Sequence, residues 1–183
     1  MSRSRAALLI LDMINPFDFP DAAYLRAAAL RIAPRIASLK RRIKSEGGHC
    51  IYVNDNFGLW QSDFRDLIAR VGETPGAALA ERLVPDEDDR FVLKPKHSAF
   101  FHTPLRLLLD KFGSDKLVIT GIAAEACVLT TALDAHMHDI PCRVPSDCIA
   151  GNSAARKRAA LTVLRAAEVD TTSFKGDRAH SSG

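Results

Sequence analysis

Short apolar runs alternate along the chain with longer segments in which apolar residues recur at helical spacing. Runs rich in apolar and β-branched residues occupy positions 7–11, 50–54, 90–93 and 117–120, and such runs are typical of buried strands. The clearest helical segment has one apolar stripe, formed by Leu25, Ile32, Ile36, Leu39 and Ile43. The alternation predicts an α/β protein: a three-layer α-β-α fold around a mostly parallel, Rossmann-like central sheet.

The ends of the predicted elements carry further signals. Asp21 and Thr103 are expected to cap the helices that follow them, and Pro34 is expected to restart or kink the first helix. Residues 141–145 should hold a short strand, and residues 169–172 should form a final edge strand. The helix after the fourth strand should turn three side chains inward, namely Leu129, Leu133 and Met137.

Length and composition are those of one globular domain, residues 1–183, with a core at 6–172 and a polar tail at 175–183 that we expect to be disordered. No apolar run approaches the ~18 residues of a transmembrane helix. Four cysteines without paired spacing fit a reducing, cytoplasmic location. The net charge of +3 is modest, and the basic residues of the first helix fit a solvated face, so we expect neither a membrane nor a nucleic-acid partner. No phosphate-binding glycine motif occurs, and no cofactor is expected.

Three polar residues follow predicted strands: Asp12, Lys94 and, after a short turn, Cys127. The carboxyl ends of parallel strands meet at one edge of a sheet, so these side chains can converge there. A carboxylate can take a thiol proton and return it to a leaving amine, while an ammonium group stabilises both anions. Each residue also has an ordinary interpretation: a turn residue for Asp12, a solvated charge for Lys94 and a small buried hydrophobe for Cys127.

Cys127 stands in what should be the first turn of a helix. Unpaired N–H groups and the positive end of the helix dipole favour an anion there, so we expect the thiol pKa to lie below its ordinary ~8.5. Cys148, on another loop that follows a strand, is a weaker candidate nucleophile. The histidines, including His97 and His136, lack the spacing of metal ligands and are interpreted as surface or loop residues.

Three stretches of the chain resemble the isochorismatase-like cysteine hydrolases, and the resemblance extends over about residues 6–172. LLILDMINPF is similar to the aspartate strand of that family, VLKPKHSAFFHTPL to its lysine strand and following helix, and GIAAEACVLTTALDA to its nucleophile turn. The second stretch is the most specific, because Lys94 stands four residues before the Ser98-Ala99-Phe100 sequence, as in the family.

The resemblance implies a catalytic triad of Asp12, Lys94 and Cys127. It also implies a cis peptide bond between Ile122 and Ala123, and an oxyanion hole formed by the N–H groups of Ala123 and Cys127. Family members assemble into oligomers in which a neighbouring subunit can complete the pocket, so a homo-oligomer is expected.

The sequence departs from the family pattern at two places. Ala124 stands where the family often has threonine, so a hydroxyl is absent there. The nicotinamidase branch has an Asp-x-His metal motif after the second strand, whereas this chain ends the motif with Phe57, which cannot ligate a metal. We therefore predict no metal. Phe57 and Trp60 lie on one loop and, with Phe17, are our candidates for the pocket wall; a satellite hydrophobic cluster is the alternative for the loop.

These features predict an amidohydrolase that acts on a small carboxamide through a thioester on Cys127. A first alternative is hydrolysis of a vinyl ether of the isochorismate type, which requires Asp12 but not Cys127. A second is a family member without catalysis that serves as a binding or scaffold protein. The presence of the thiol favours the amide.

Overall fold

The apolar runs of the sequence form the strands of one sheet in the computed structural model, which describes residues 5–55, 57 and 64–174. The strands in these ranges are β1 (Arg5–Leu11), β2 (His49–Asp55), β3 (Arg90–Lys94), β4 (Ser114–Gly121) and β5 (Cys142–Arg143). The α-helices there are α1 (Ala22–Ser45), α2 (Phe64–Val71), α3 (Ala77–Arg82), α4 (Leu105–Phe112), α5 (Leu129–Met137) and α6 (Ala154–Ala166). A π-helical turn, Ala124–Val128, leads directly into α5.

All five strands are parallel and lie in the order β3-β2-β1-β4-β5. β1 is central, which explains its uninterrupted apolar sequence, because a strand covered on both faces has no solvated side. Leu11 lies opposite both Val53 and Gly121, and Asp55 lies opposite Lys94. The carboxyl ends of four strands are therefore level at one edge, and the predicted α-β-α fold with a parallel sheet is confirmed.

Two hydrophobic cores fill the spaces between the sheet and its helices. Leu8 and Ile10 of β1 enter the core under α1, α2 and α3. Leu9 and Leu11 enter the core under α4, α5 and α6. Because successive side chains of a strand point to opposite faces, β1 supplies both cores, and its carboxyl end is fixed from both sides.

The starts of the helices follow the local signals only in part. Asp21 precedes α1 in a left-handed conformation with φ 61°, and its side chain makes no capping hydrogen bond, so that prediction is wrong. Pro34 lies inside α1 and does not end it. Before α4, Pro104 occupies the N-cap position that was predicted for Thr103, although the Thr103 hydroxyl still accepts a hydrogen bond from the Leu105 N–H at 3.2 Å.

The inner face of α5 differs from the prediction. Met137 is 79% exposed, and Leu129 and Leu133 are half-buried. Smaller side chains occupy the buried face instead: Thr131, Ala132 and Ala135. The face of α5 that packs on the core is therefore rotated away from the stripe of large side chains that the sequence suggested.

The end of the chain also departs from the prediction. Residues 169–172 form no strand; only an isolated parallel bridge joins Arg143 to Asp170. The predicted short strand within 141–145 is present as β5. The tail at 175–183 lies outside the described residues. No helix in the described part of the chain is both long enough and apolar enough to cross a membrane.

One basic residue of α1 is not solvated. Lys40 is buried, and its Nζ lies 2.5 Å from Asp89 Oδ2 and 3.2 Å from the Tyr52 hydroxyl. The Asp89 side chain has no exposed surface, so the two charges neutralise each other inside the protein. The prediction of a solvated face is therefore wrong at Lys40, while Lys44 forms ion pairs nearer the surface.

Candidate active site

The carboxyl edge of the sheet brings Asp12 and Lys94 into contact. Asp12 directly follows β1, and its N–H donates to the Val53 carbonyl at 2.9 Å. Its Oδ2 lies 3.0 Å from Lys94 Nζ, and its Oδ1 accepts a hydrogen bond from the Asp55 N–H at 2.7 Å. The Lys94 side chain is fully buried, and that of Asp12 is 7% exposed. The carboxylate is thus held by the ends of two neighbouring strands.

Cys127 completes this cluster from the π-helical turn. The turn contains the wide backbone hydrogen bond from Val128 N–H to the Ala123 carbonyl, 3.2 Å long. The Cys127 Sγ lies 3.3 Å from Lys94 Nζ, the same ammonium group that lies 3.0 Å from the Asp12 carboxylate. Lys94 therefore contacts both other residues of the predicted triad. Their catalytic role stays a prediction.

The chain reaches this position through a close approach between two strands. Gly121 ends β4 with φ +107°, and a Cβ built on it would lie 2.1 Å from the Leu11 carbonyl oxygen. Only glycine fits this place, because an L side chain would meet both conformational strain and a backbone atom. The Ile122–Ala123 peptide bond that follows is cis.

Glu125 ties the π-helical turn to the loop after β5. Its Oε1 accepts hydrogen bonds from the Asn152 backbone N–H at 3.0 Å and from the Asn152 side-chain amide at 2.8 Å. One residue earlier, the Ala124 N–H donates to the Ala150 carbonyl at 2.8 Å. The turn that carries Cys127 is therefore fixed to its neighbour by three hydrogen bonds.

The loop after Lys94 is tied to α5, the helix that follows Cys127. The Ser98 hydroxyl donates to the Asp134 carboxylate, and the Ala99 N–H donates to the Thr131 hydroxyl at 3.0 Å. These bonds join the lysine strand to the nucleophile helix, so they fix the spacing between Lys94 and the sulfur.

Burial dominates the electrostatics of the cluster. It raises the pKa of Asp12, although the Lys94 charge opposes this. Burial alone would lower the pKa of Lys94, but the charges of Asp12 and Cys127 outweigh it, and the lysine pKa lies above its ordinary value. Burial, reinforced by the Asp12 charge, raises the pKa of Cys127 to about 12. The lowered thiol pKa that the sequence suggested is therefore wrong, because desolvation and a neighbouring carboxylate outweigh the dipoles of the turn.

Two further polar groups at the site were not expected from the sequence. His97 lies on the exposed side of the cluster, with its Nδ1 3.7 Å from Cys127 Sγ. Asp55 Oδ2 lies 3.9 Å from Lys94 Nζ. Asp55 is the last residue of β2, and that position is the signal by which it could have been found, whereas no comparable signal marks His97.

Among the described residues, those predicted for the pocket wall, and the second candidate nucleophile, form no hydrogen bond or ion pair with any residue of the predicted triad. Phe17 is buried in the core under α1, and Phe57 is 37% exposed, with its N–H donating to Asp55 Oδ1 at 2.6 Å. Trp60 lies outside the described residues. The pocket wall therefore stays a prediction. Cys148 is fully buried, and burial raises its pKa to about 12.

Ala123 and Cys127, the residues of the predicted oxyanion hole, lie at the start of the π-helical turn and within it. The Ala123 carbonyl is occupied by hydrogen bonds from the N–H groups of Ala126 and Val128. Whether the N–H groups of Ala123 and Cys127 receive an oxyanion stays a prediction.

A separate acidic cluster is paired with two lysines. Within the described ranges, the side chains of Asp86, Asp88 and Asp89 are the group of three acids close enough to share a metal ion. They precede β3, so they lie at the amino edge of the sheet, away from Cys127. Lys40 and Lys44 form ion pairs with them. Phe57, at the position of the metal motif, offers no ligand atom.

The fold and the cluster define an α/β protein that carries a thiol, a carboxylate and an ammonium group in contact at one sheet edge. The sequence profile of the family described as Isochorismatase domain matches residues 6–175. The uncharacterized isochorismatase family protein YaaI of Bacillus subtilis is 40% identical over 164 residues, which are 90% of this chain and 91% of YaaI. The chain belongs to the isochorismatase family of hydrolases.

Two other comparisons extend this result. The crystal structure of an isochorismatase family protein from Desulfovibrio vulgaris superposes with a TM-score of 0.77 and 26% sequence identity, covering 93% of this chain and 95% of that one. A more distant relative, the maleamate amidohydrolase of Pseudomonas putida, is 25% identical over 153 residues, which cover 79% of this chain and 72% of the relative.

Proposed function

We propose that this protein is a cysteine hydrolase that cleaves the C–N bond of a small carboxamide. The observation that carries the proposal is the position of the buried Lys94 ammonium group, 3.0 Å from the Asp12 carboxylate and 3.3 Å from the Cys127 sulfur. A structural thiol needs no such partners, whereas a nucleophilic thiol needs a base and a counter-charge. The similarity to a maleamate amidohydrolase supports the same bond type.

The reaction begins with attack of the Cys127 sulfur on the amide carbonyl, while the thiol proton passes to Asp12. The tetrahedral oxyanion collapses, the C–N bond breaks, and Asp12 gives the proton to the departing amine. A thioester remains. Asp12 then takes a proton from water, the resulting hydroxide attacks the thioester, and the C–S bond breaks. The proton returns to the sulfur, and the carboxylic acid product leaves.

The electrostatics support this proton transfer. The pKa values of Asp12 and Cys127 are both raised, so at neutral pH the pair retains a proton that can move between oxygen and sulfur. The raised pKa of Lys94 keeps the lysine charged throughout. Its cation stabilises whichever partner carries the negative charge, and the net charge of the cluster does not change during the transfer.

Vinyl-ether hydrolysis of the isochorismate type is the second candidate, favoured by the description of the matching family. In that reaction Asp12 would protonate the substrate, and the sulfur would form no bond. A family member without catalysis is the third candidate, and in it Cys127 would be inert.

The experiment that separates the three compares wild type with Cys127→Ala, Cys127→Ser and Asp12→Asn on a panel of small amides and on isochorismate. For the amide proposal, we expect turnover to fall at least ~100-fold in all three variants, and mass spectrometry of the wild type to show an acyl adduct on Cys127. Activity on isochorismate that survives Cys127→Ala but not Asp12→Asn would establish the second candidate. Iodoacetamide labelling of Cys127 that is no faster than that of Cys50 would favour the third.

A further inference from the structure

The sulfur of Cys127 has polar neighbours on two sides. On the buried side lie Lys94 and Asp12, whose side chains have almost no exposed surface. On the exposed side, His97 Nδ1 lies 3.7 Å from Sγ. His97 is an exposed residue, so its ring joins the buried sulfur to the solvent-facing part of the loop.

The loop that carries His97 is anchored on both sides of this residue. Lys94, three residues earlier, is held in the buried cluster, and Ser98 and Ala99 are tied to α5 by hydrogen bonds to Asp134 and Thr131. The anchored backbone therefore keeps the Cα of His97 close to Cys127, and from there its imidazole reaches the sulfur.

We propose that His97 is a further catalytic residue: its Nδ1 is a second proton acceptor for the Cys127 thiol, on the open side of the sulfur. The proton leaves Sγ and binds Nδ1, which gives a thiolate beside an imidazolium, with Nε2 keeping its own hydrogen. When the C–N bond of a substrate breaks, Nδ1 returns that proton to the departing amine. This role in turnover rests on the proposed amide hydrolysis, but the proton transfer itself does not.

The charges around the sulfur favour this second route. With the Asp12 carboxylate ionised, a thiolate would place a second anion beside the single Lys94 cation. An imidazolium at His97 restores the balance, because Asp12 and Cys127 then face Lys94 and His97, two anions against two cations. Asp55, 3.9 Å from Lys94 Nζ, adds a further carboxylate, and it makes the second cation more favourable.

Alkylation of Cys127 by iodoacetamide tests the proposal without a substrate, because the thiolate is the reacting species. The rate is measured from pH 6 to 10.5 by mass spectrometry of the Cys127 peptide in wild type, His97→Gln and His102→Gln. His102 is the matched control: it is an exposed histidine of the same loop, and its ring packs on Phe101. We expect His97→Gln to be about tenfold slower at pH 7, which corresponds to one pKa unit, and His102→Gln to equal wild type.

The shape of the pH profile separates proton transfer from access. Loss of a proton acceptor slows alkylation most at low pH, and the rates of wild type and His97→Gln should converge as the pH rises. A ratio that is constant at all pH values would mean that His97 only shapes the entrance, and coincident profiles would mean that it does nothing; either overturns the proposal. If the profile shifts as expected but no amide gives an adduct, the proposed function fails while the role of His97 at the sulfur stands.

Discussion

At the scale of single residues, the site depends on a charge that has no exposed surface. Lys94 is buried at the carboxyl end of β3 and is tolerated there because Asp12, Cys127 and Asp55 surround its ammonium group. Buried charges are rare unless they are paired, and they bind their partners strongly in return. The same arrangement that makes the lysine acceptable in the core holds the sulfur beside the carboxylate.

A second titratable group, half-buried at the start of β2, should make stability depend on pH. His49 begins β2, and its ring packs on Phe112 with centroids 4.5 Å apart. Its Nε2 is buried and has no hydrogen-bond partner among the described residues. Burial and the positive charges of Arg5 and Arg90 lower the pKa of His49. The unfolded chain therefore binds a proton more readily than the folded one as the pH falls.

The pKa of His49 is lower in the folded protein than the value of about 6.5 in the unfolded chain. The neutral histidine therefore contributes its full stabilisation above pH 6.5, and this stabilisation is lost as the pH falls through the folded-state pKa. We expect the free energy of unfolding of wild type to fall more between pH 7.5 and pH 5 than that of His49→Phe, by an amount that partial exposure keeps small. Urea unfolding at both pH values measures this, with the exposed His136→Gln as control. An equal loss in wild type and His49→Phe would contradict it.

The sequence indicated that Asp12, Lys94 and Cys127 would converge at one sheet edge, as they do, but it did not indicate their surroundings. Asp12, Lys94 and Cys127 could be found because each follows an apolar run, and parallel strands end at one edge. The direction in which the pKa of the Cys127 thiol is shifted could not be predicted from the sequence, because it depends on how deeply the sulfur is buried beside Asp12. His97 was missed for the same reason: a single histidine in a polar loop has nothing in its sequence that shows contact with a sulfur.

At the scale of elements, long-range burial overrides local signals. Pro34 removes a backbone donor within α1 and would kink or end an isolated helix. The helix nevertheless continues, because Ile32 on one side of the proline and Ile36 and Leu39 on the other side are all buried in the same core. The sequence predicted the stripe correctly, and the effect of the proline depended on packing that only the fold shows.

Glu125 is the side chain that joins the nucleophile turn to the loop after β5, and its replacement should loosen both. Glu125→Ala leaves the backbone and side-chain amides of Asn152 without their acceptor. An unsatisfied polar group of this kind costs about 1–3 kcal/mol. We expect Glu125→Ala to lower the free energy of unfolding by that amount and Glu125→Gln, which keeps an acceptor oxygen, to lower it by less than about 1 kcal/mol.

Urea unfolding gives the stability difference, and hydrogen exchange of the Asn152 amide reports on the loop directly. In Glu125→Ala the amide should exchange faster than in Glu125→Gln. Equal unfolding free energies for the two variants would show that the Glu125 oxygen adds nothing to the attachment of the turn.

At the scale of the whole molecule, the central strand β1 determines where the residues of the site lie relative to one another. β1 supplies side chains to both cores, pairs with β2 and β4, and ends at Asp12. Lys94 is at the end of β3, which is joined to β1 by β2, and Cys127 follows β4, which pairs with β1 directly. The distances among the three residues are therefore fixed by the pairing of four strands, and a defect in that pairing should reach the site.

Gly121 is the place where this dependence can be tested. In Gly121→Ala the new Cβ would lie 2.1 Å from the Leu11 carbonyl oxygen, with φ at +107°, so β4 must move away from β1. Gly113→Ala is the matched control: it also has a positive φ, +60°, but its Cβ would meet nothing within 4 Å. Urea unfolding should show that Gly113→Ala lowers the free energy of unfolding only by the conformational strain of about 1–2 kcal/mol.

Gly121→Ala should lower the free energy of unfolding by more than about 4 kcal/mol, which marks a severe backbone clash. Any folded fraction of this variant should show altered iodoacetamide labelling of Cys127. Similar losses of stability in the two variants, with unchanged labelling, would show that the contact between β1 and β4 does not set the position of the sulfur.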